Sequence, residues 1–403
     1  MKRTPDDLAI FGGRPAFPSK LHVGRPHTGD REVLFESIRQ ILDRRWLTNN
    51  GPCVQELEAR IADSVGVKHC VAVCNGTMAL SILIRAAELT GQVVVPAFTF
   101  VATVHALQWQ GISPVFCDIN PDTHTLDPER LEECITPKTT GVIPVHTWGH
   151  TKYIDSIIDV ARRHDLFVGF DAAHAFGCAQ RSQKVGGFGD AEVFSFHATK
   201  VFNTAEGGAI TTNDDELAEK TRRMRTFGFK GFDNVVDLGL NGKMSEVSAA
   251  MGLSLLPRID DVIATNRENY AEYKRGVEGS SALRLMPFDA TEKPNYQYVV
   301  MEVDRHAAGL DRDHFLAILH AENVIARRYF FPGCHQMEPY KTRYSAAGNK
   351  LPVTDALVQK TLVLPTGDQV DRDGISKICG ILSFLCENSS EIRQRLTLQK
   401  PKA

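Results

Sequence analysis

Apolar residues follow two rhythms along this chain. Short uninterrupted apolar runs occupy 70–74, 93–96, 114–118, 141–145, 166–171, 191–196 and 208–212. Between them, apolar positions recur every three or four residues, at 78–89, 99–110, 128–135, 154–164 and 214–224, as they do earlier at 32–45 and 54–65. A run that is apolar at every position suits a strand buried on both faces, and the second rhythm suits an amphipathic helix. Strands alternating with helices predict an α/β fold: a mostly parallel sheet covered by helices on both faces. After Met224 the rhythm weakens. A Gly- and Asp-rich loop fills 228–241, and helices are expected at 245–255 and 259–277. The remainder offers strands at 297–302 and 324–328 and helices at 312–322 and 374–386, the last taken as the final helix.

This organisation divides the chain into an arm, 1–30, a large α/β domain, 31–275, and a smaller C-terminal α+β domain, 276–403. The arm is rich in Gly and Pro and has no period. Such an arm wraps a neighbouring subunit or lies as a surface tail.

Composition narrows the class. A chain of 403 residues is long for a single core. A formal net charge of −3 gives no electrostatic case for nucleic acid or an anionic membrane. No apolar stretch reaches spanning length, and the charged N-terminus lacks the apolar core of a signal peptide. Nine scattered cysteines form no disulfide framework and no metal-binding spacing, so a reduced, cytoplasmic protein without a metal is expected.

The chemistry sits at strand ends, where open α/β sheets bind ligands. Asn75-Gly76-Thr77 joins a strand to a helix, whose free N–H groups suit a phosphate, although an ordinary capped turn has the same form. Asp171 ends a very apolar strand and must be paired to stay ionised, by a ring nitrogen or by a helix start. His174 follows among small residues that admit a flat ring, or else is a histidine satisfied within the core. Ser195, His197 and Lys200 leave the next strand. An enclosed lysine loses its proton readily and can form a Schiff base with an aldehyde, whereas most lysines are simply exposed. A phosphate site, an acid for a ring nitrogen and a lysine for an aldehyde match the three handles of pyridoxal 5′-phosphate, with Phe98 and Phe100 placed to stack on its ring.

The runs Asn75-Gly-Thr-Met-Ala-Leu80, Val95-Pro-Ala-Phe-Thr-Phe100, Phe116-Cys-Asp118, Ile143-Pro-Val-His146, Asp171-Ala-Ala-His174, Phe194-Ser-Phe-His-Ala-Thr-Lys200, Glu206-Gly-Gly208 and Gly239-Leu-Asn-Gly-Lys-Met-Ser-Glu246 carry a further signal. Together they resemble the DegT/DnrJ/EryC1/StrS family of nucleotide-sugar aminotransferases, of fold type I. The resemblance implies that Lys200 is the Schiff-base lysine and moves the proton, and that Asp171 partners the pyridine nitrogen. It implies that Gly76, Thr77 and Ser195 contact the phosphate and that Phe100 stacks on the ring. Asn241 is implied to reach the cofactor of a second subunit, making a homodimer the working unit. His174 stands where glutamine is commoner, and Lys243 where arginine is commoner. A related branch that removes a hydroxyl replaces the lysine by histidine; this chain keeps Lys200.

The resemblance further implies glutamate as amino donor and a nucleotide-linked keto-sugar as acceptor. The stretch with Arg327, Arg328, Tyr329 and His335 is expected to be a lid or sugar contact, or an edge strand with solvated arginines. It resembles members acting at C4 of dTDP-4-keto-6-deoxy-D-glucose, giving dTDP-4-amino-4,6-dideoxy-D-glucose. Amination at C3 of a dTDP-3-keto-6-deoxyhexose is the rival. A cofactor-binding regulator and a dehydratase on the same scaffold are the alternatives from other classes.

Overall fold

The computed structural model describes residues 2–344 and 350–399. Seven strands form the main sheet: β1 (His69–Val73), β2 (Gln92–Pro96), β3 (Ser113–Cys117), β4 (Thr139–Val142), β5 (Phe167–Asp171), β6 (Ala191–Ser195) and β7 (Gly208–Thr212). Their order is β1-β7-β6-β5-β4-β2-β3. All pairings are parallel except those of β7, which runs against both β1 and β6.

The helices around it are α1 (Arg31–Arg44), α2 (Pro52–Val65), α3 (Gly76–Ala86), α4 (Val101–Gln108), α5 (Pro128–Cys134), α6 (Ile154–Arg163), α7 (Asp215–Met224), α8 (Glu246–Leu255) and α9 (Ile259–Gly276). The uninterrupted strand pattern has a simple cause. In β1, Cys70 and Ala72 pack with α2, α6 and α8, while Val71 and Val73 pack with α3, α4 and α7 on the other face. A strand has period two, so burial on both faces removes the polar beat.

A second core lies beyond α9. It is built on an antiparallel sheet of β8 (Leu283–Leu285), β9 (Val299–Val303) and β10 (Thr361–Leu364), in the order β8-β9-β10. Helices α10 (Arg312–Ala321), α11 (Pro352–Lys360), α12 (Arg372–Glu387) and α13 (Ser389–Gln399) accompany it. Three expectations need correction. The element expected at 324–328 is only Val324–Ile325, and it pairs in parallel with Leu21–His22 of the arm. The last helix is α13, not the one at 374–386. Strands β8 and β10 had not been expected.

The arm docks on its own chain. Leu8 and Phe17 are buried in the second core. The buried carboxylate of Glu322 accepts the N–H of Ala9 at 2.8 Å and of Ala16 at 2.7 Å, and pairs with Lys2 at 2.8 Å. The two cores also meet directly: Asp118, just past β3, accepts the N–H groups of Val353 and Thr354 at 2.9 and 2.8 Å and so caps α11.

Candidate active site

A cavity of about 540 Å³ opens at the C-terminal ends of the parallel strands. Its lining includes Gly76, Thr77, Phe100, Asp171, His174, Ser195, Lys200, Arg327 and Tyr329, which the sequence had singled out.

Lys200 lies in the loop between β6 and β7. Its amine donates to the Tyr298 hydroxyl at 3.1 Å. Enclosure lowers the ammonium from an ordinary value of 10.5 to about 8, against the opposing pull of the Asp171 charge. Burial pushes the Tyr298 phenol well up, so it stays protonated at neutral pH.

Asp171 ends β5 and is buried. Its Oδ2 accepts the Thr103 hydroxyl at 2.8 Å and its Oδ1 the Ala173 N–H at 3.1 Å. Burial raises its carboxyl above the usual range, and the Thr103 and Ala173 bonds, then Lys200 and His146, oppose that rise.

The turn at Asn75 is tightly held. The Asn75 side chain caps α3 by accepting the Met78 N–H at 2.8 Å. A Cβ on Gly76 would stand 2.9 Å from the Ser195 Cβ, so only glycine leaves this cradle open. Gly76 and Thr77 begin α3, where the first N–H groups of a helix have no partner within it and suit an anion.

His174 is buried between aromatic rings. It stacks on Trp148 at 5.7 Å and lies 4.5 Å from the Tyr298 ring. The Trp148 N–H donates to its Nδ1 at 3.3 Å. Burial, with Lys200 nearby, holds the imidazole well below its usual value. The ring is therefore neutral, with its proton on Nε2.

Other residues are placed elsewhere. Phe100 is 58% exposed at the cavity edge, with a free face for stacking. Phe98 is fully buried against His124, Trp148 and Phe330, which rules out its expected stacking role. Arg328 turns away, pairs with Asp313 at 3.2 Å and covers the Phe331 ring. His335 pairs with Asp355 at 2.9 Å. Neither lines the cavity. Asn241 is exposed and outside it as well.

Tyr298, Thr99, Thr103 and Trp148 were not foreseen. Tyr298 had a faint signal, being an aromatic at the mouth of the apolar run expected at 297–302.

These residues fit pyridoxal phosphate: an easily deprotonated amine for its aldehyde, a hydrogen-bonded buried carboxylate, and a glycine-floored helix start. Sheet, lysine and carboxylate together define a pyridoxal phosphate-dependent enzyme. The chain belongs to the DegT/DnrJ/EryC1/StrS aminotransferase family, whose profile matches residues 29–383. It is a sugar aminotransferase.

Two curated relatives are each 34% identical to it. One is a dTDP-4-amino-4,6-dideoxy-D-glucose transaminase of Shigella dysenteriae, over 93% of this chain and 99% of that protein. The other is a GDP-perosamine synthase of Caulobacter vibrioides, over 90% and 97%. Among solved structures, DesI, crystallised in the presence of its TDP-sugar product, superimposes with a TM-score of 0.93 at 43% identity, covering 98% of this chain and all of DesI. Among the described residues, no helix is long and apolar enough to cross a membrane, and no cluster of His, Cys, Asp and Glu could hold a metal ion.

Proposed function

We propose that this enzyme moves an amino group from glutamate to C4 of a dTDP-linked 4-keto-6-deoxy-D-glucose. The observation that carries the reading is the enclosed Lys200 amine facing a cavity that also holds Asp171 and the Gly76 turn. The activity of the Shigella relative supports C4 and the thymidine nucleotide, and the TDP-sugar product of DesI supports the nucleotide. The Caulobacter relative supports a guanosine-linked sugar as the second reading.

Bound pyridoxal phosphate supplies the electron sink that makes the substrate carbon acidic. The chain supplies the rest. Gly76, Thr77 and Ser195 would hold the phosphate. An ionised Asp171 would pair with the ring nitrogen and keep a proton there. Phe100 would cover one ring face, and His174 would offer its Nε2–H. The Lys200 amine, held by Tyr298 and uncharged in part at neutral pH, would take the proton from the substrate carbon and deliver it, on the same face, to the carbon that had been the cofactor's aldehyde. Arg327 and Tyr329 face the sugar end of the cavity.

A homodimer completes the reading. Phe232 and Leu238 are 96% and 71% exposed on the loop that also carries Asn241. Covering that loop with a second copy buries this apolar surface and brings Asn241 to the partner's phosphate.

The test is the visible absorbance of the purified enzyme with pyridoxal phosphate. A band that bleaches with glutamate and returns on adding the dTDP-keto-sugar supports the reading, and NMR of the product locates the nitrogen. Lys200→Ala should abolish turnover, and normal turnover by that variant would overturn the assignment. Preference for the GDP-linked sugar would replace the nucleotide alone.

A further inference from the structure

Thr103 lies on α4 and is fully buried. A helical threonine usually turns its hydroxyl back to the carbonyl four residues before it. Here that carbonyl, of Thr99, takes the Cys334 thiol at 3.2 Å. The Thr103 hydroxyl points across to Asp171 Oδ2 at 2.8 Å instead. The Thr99 hydroxyl stands 3.0 Å behind it. An ionised carboxylate only accepts, which fixes the direction: the Thr103 O–H donates to Asp171, and the Thr103 oxygen is left to accept from Thr99.

We infer that Thr103, backed by Thr99, is a positioning residue that holds Asp171 ionised and fixes the carboxylate plane, and so keeps a proton on the cofactor's ring nitrogen. The inference rests on the reading of Asp171 as that nitrogen's partner. Burial is the largest influence on Asp171 and favours its neutral form; the Thr103 bond is the strongest of the influences against it. The ionisable groups facing Asp171 are Lys200 from the β6–β7 loop, His146 from the segment after β4 and His174 from the turn after β5. The two that act on its charge, Lys200 and His146, come after the hydrogen bonds of Thr103 and Ala173 in strength.

The sign follows. Asp171 contributes its charge above its own ionisation and loses it as pH falls through that point. Removing the Thr103 hydroxyl moves the point upward. Loss of the Asp171 charge also lets Lys200 lose its proton more readily, which frees the amine and favours binding, so it works against the upward displacement and cannot produce it.

The experiment is equilibrium binding of pyridoxal phosphate to the full-length apo enzyme from about pH 5 to about pH 8, followed by quenching of intrinsic fluorescence. The parallel titration uses the 1-deaza analogue, which has carbon in place of the ring nitrogen. Thr103→Val keeps the shape and removes the donor. It should move the acid-side loss of affinity upward by about one pH unit, which is the strength of one hydrogen bond to a charged group. Thr103→Ser should restore the original profile. A role in packing alone would weaken binding equally at every pH.

The deaza analogue should keep the acid-side loss that protonation of Lys200 imposes on both ligands, but the further loss tied to Asp171 and its upward displacement in Thr103→Val should both be absent. If wild-type enzyme shows the same profile with both ligands, the pairing of Asp171 with the nitrogen is wrong. If the two ligands differ but Thr103→Val superimposes on wild type, the pairing stands and the inference about Thr103 is overturned. Should Thr103→Val fail to fold, Thr99→Val removes only the supporting bond. It should move the profile the same way by less, and superposition there overturns the inference equally.

Discussion

The amine of Lys200 should react with aldehydes as no exposed lysine does. With its ionisation brought from 10.5 to about 8, roughly one amine in ten is uncharged at pH 7. An unperturbed lysine has about one in three thousand, so enclosure raises the reactive fraction about 300-fold. Only the uncharged form attacks a carbonyl. Apo enzyme pulsed with pyridoxal, trapped with borohydride and analysed by peptide mass should show labelling at Lys200 that rises with pH through a midpoint near 8 and levels off above about 9. Exposed lysines should keep rising well beyond that. The Asp171 charge is the main influence holding the proton on, so Asp171→Asn should move the plateau to lower pH. A midpoint near 10 in the wild-type enzyme would refute the enclosure of the amine. An upward move in Asp171→Asn would refute the balance drawn between burial and charge.

Two further outcomes follow from the fold. Glu322→Ala strips the acceptors from the Ala9 and Ala16 N–H groups and the partner from Lys2. It should cost about 3 kcal/mol in urea denaturation and open the arm to limited proteolysis; unchanged stability and an uncut arm would show that the contacts do not hold it. Gly208→Ala places a methyl 2.7 Å from the Asn75 carbonyl carbon and 2.8 Å from the Gly76 nitrogen. That push on the turn should weaken pyridoxal phosphate binding by about 1–3 kcal/mol in a direct titration, and unaltered affinity would mean that the turn yields.

The sheet was legible because its strands are buried on both faces and stand apart from the helices in rhythm alone. The second core was less so. Strand β10 follows α11 without a turn former between Lys360 and Thr361, so one apolar stretch hid two elements. The docking of the arm was invisible, since Leu8 and Phe17 show no period and Glu322, which accepts from Ala9 and Ala16, lies some 300 positions away from them.

In the site, Lys200, Asp171, Ser195 and Gly76 could be read because strand ends announce themselves. Tyr298, Thr103 and Trp148 act through contacts made only by the folded chain. The Arg327–Tyr329 segment shows the limit of adjacency. Arg327, bridged to Val363, and Tyr329 in the turn after it line the cavity, while Arg328 between them faces Asp313.

The reversed strand β7 also sets a length. Gly208 sits opposite Val73 on one side and Ser195 on the other. The turn proposed to receive the phosphate and the loop proposed to receive the aldehyde are thus fastened to the two flanks of one residue. Adjacent strands keep a spacing of about 4.8 Å, so the span between these two anchor points is fixed by the hydrogen-bond ladder rather than by flexible loops. Phe196 and Gly207 close the lysine loop at its base through a 2.8 Å bond. On the proposed function, Lys200 could let go of the aldehyde in each cycle and come back to the same spot, because β7 works as a ruler whose two marks cannot drift apart.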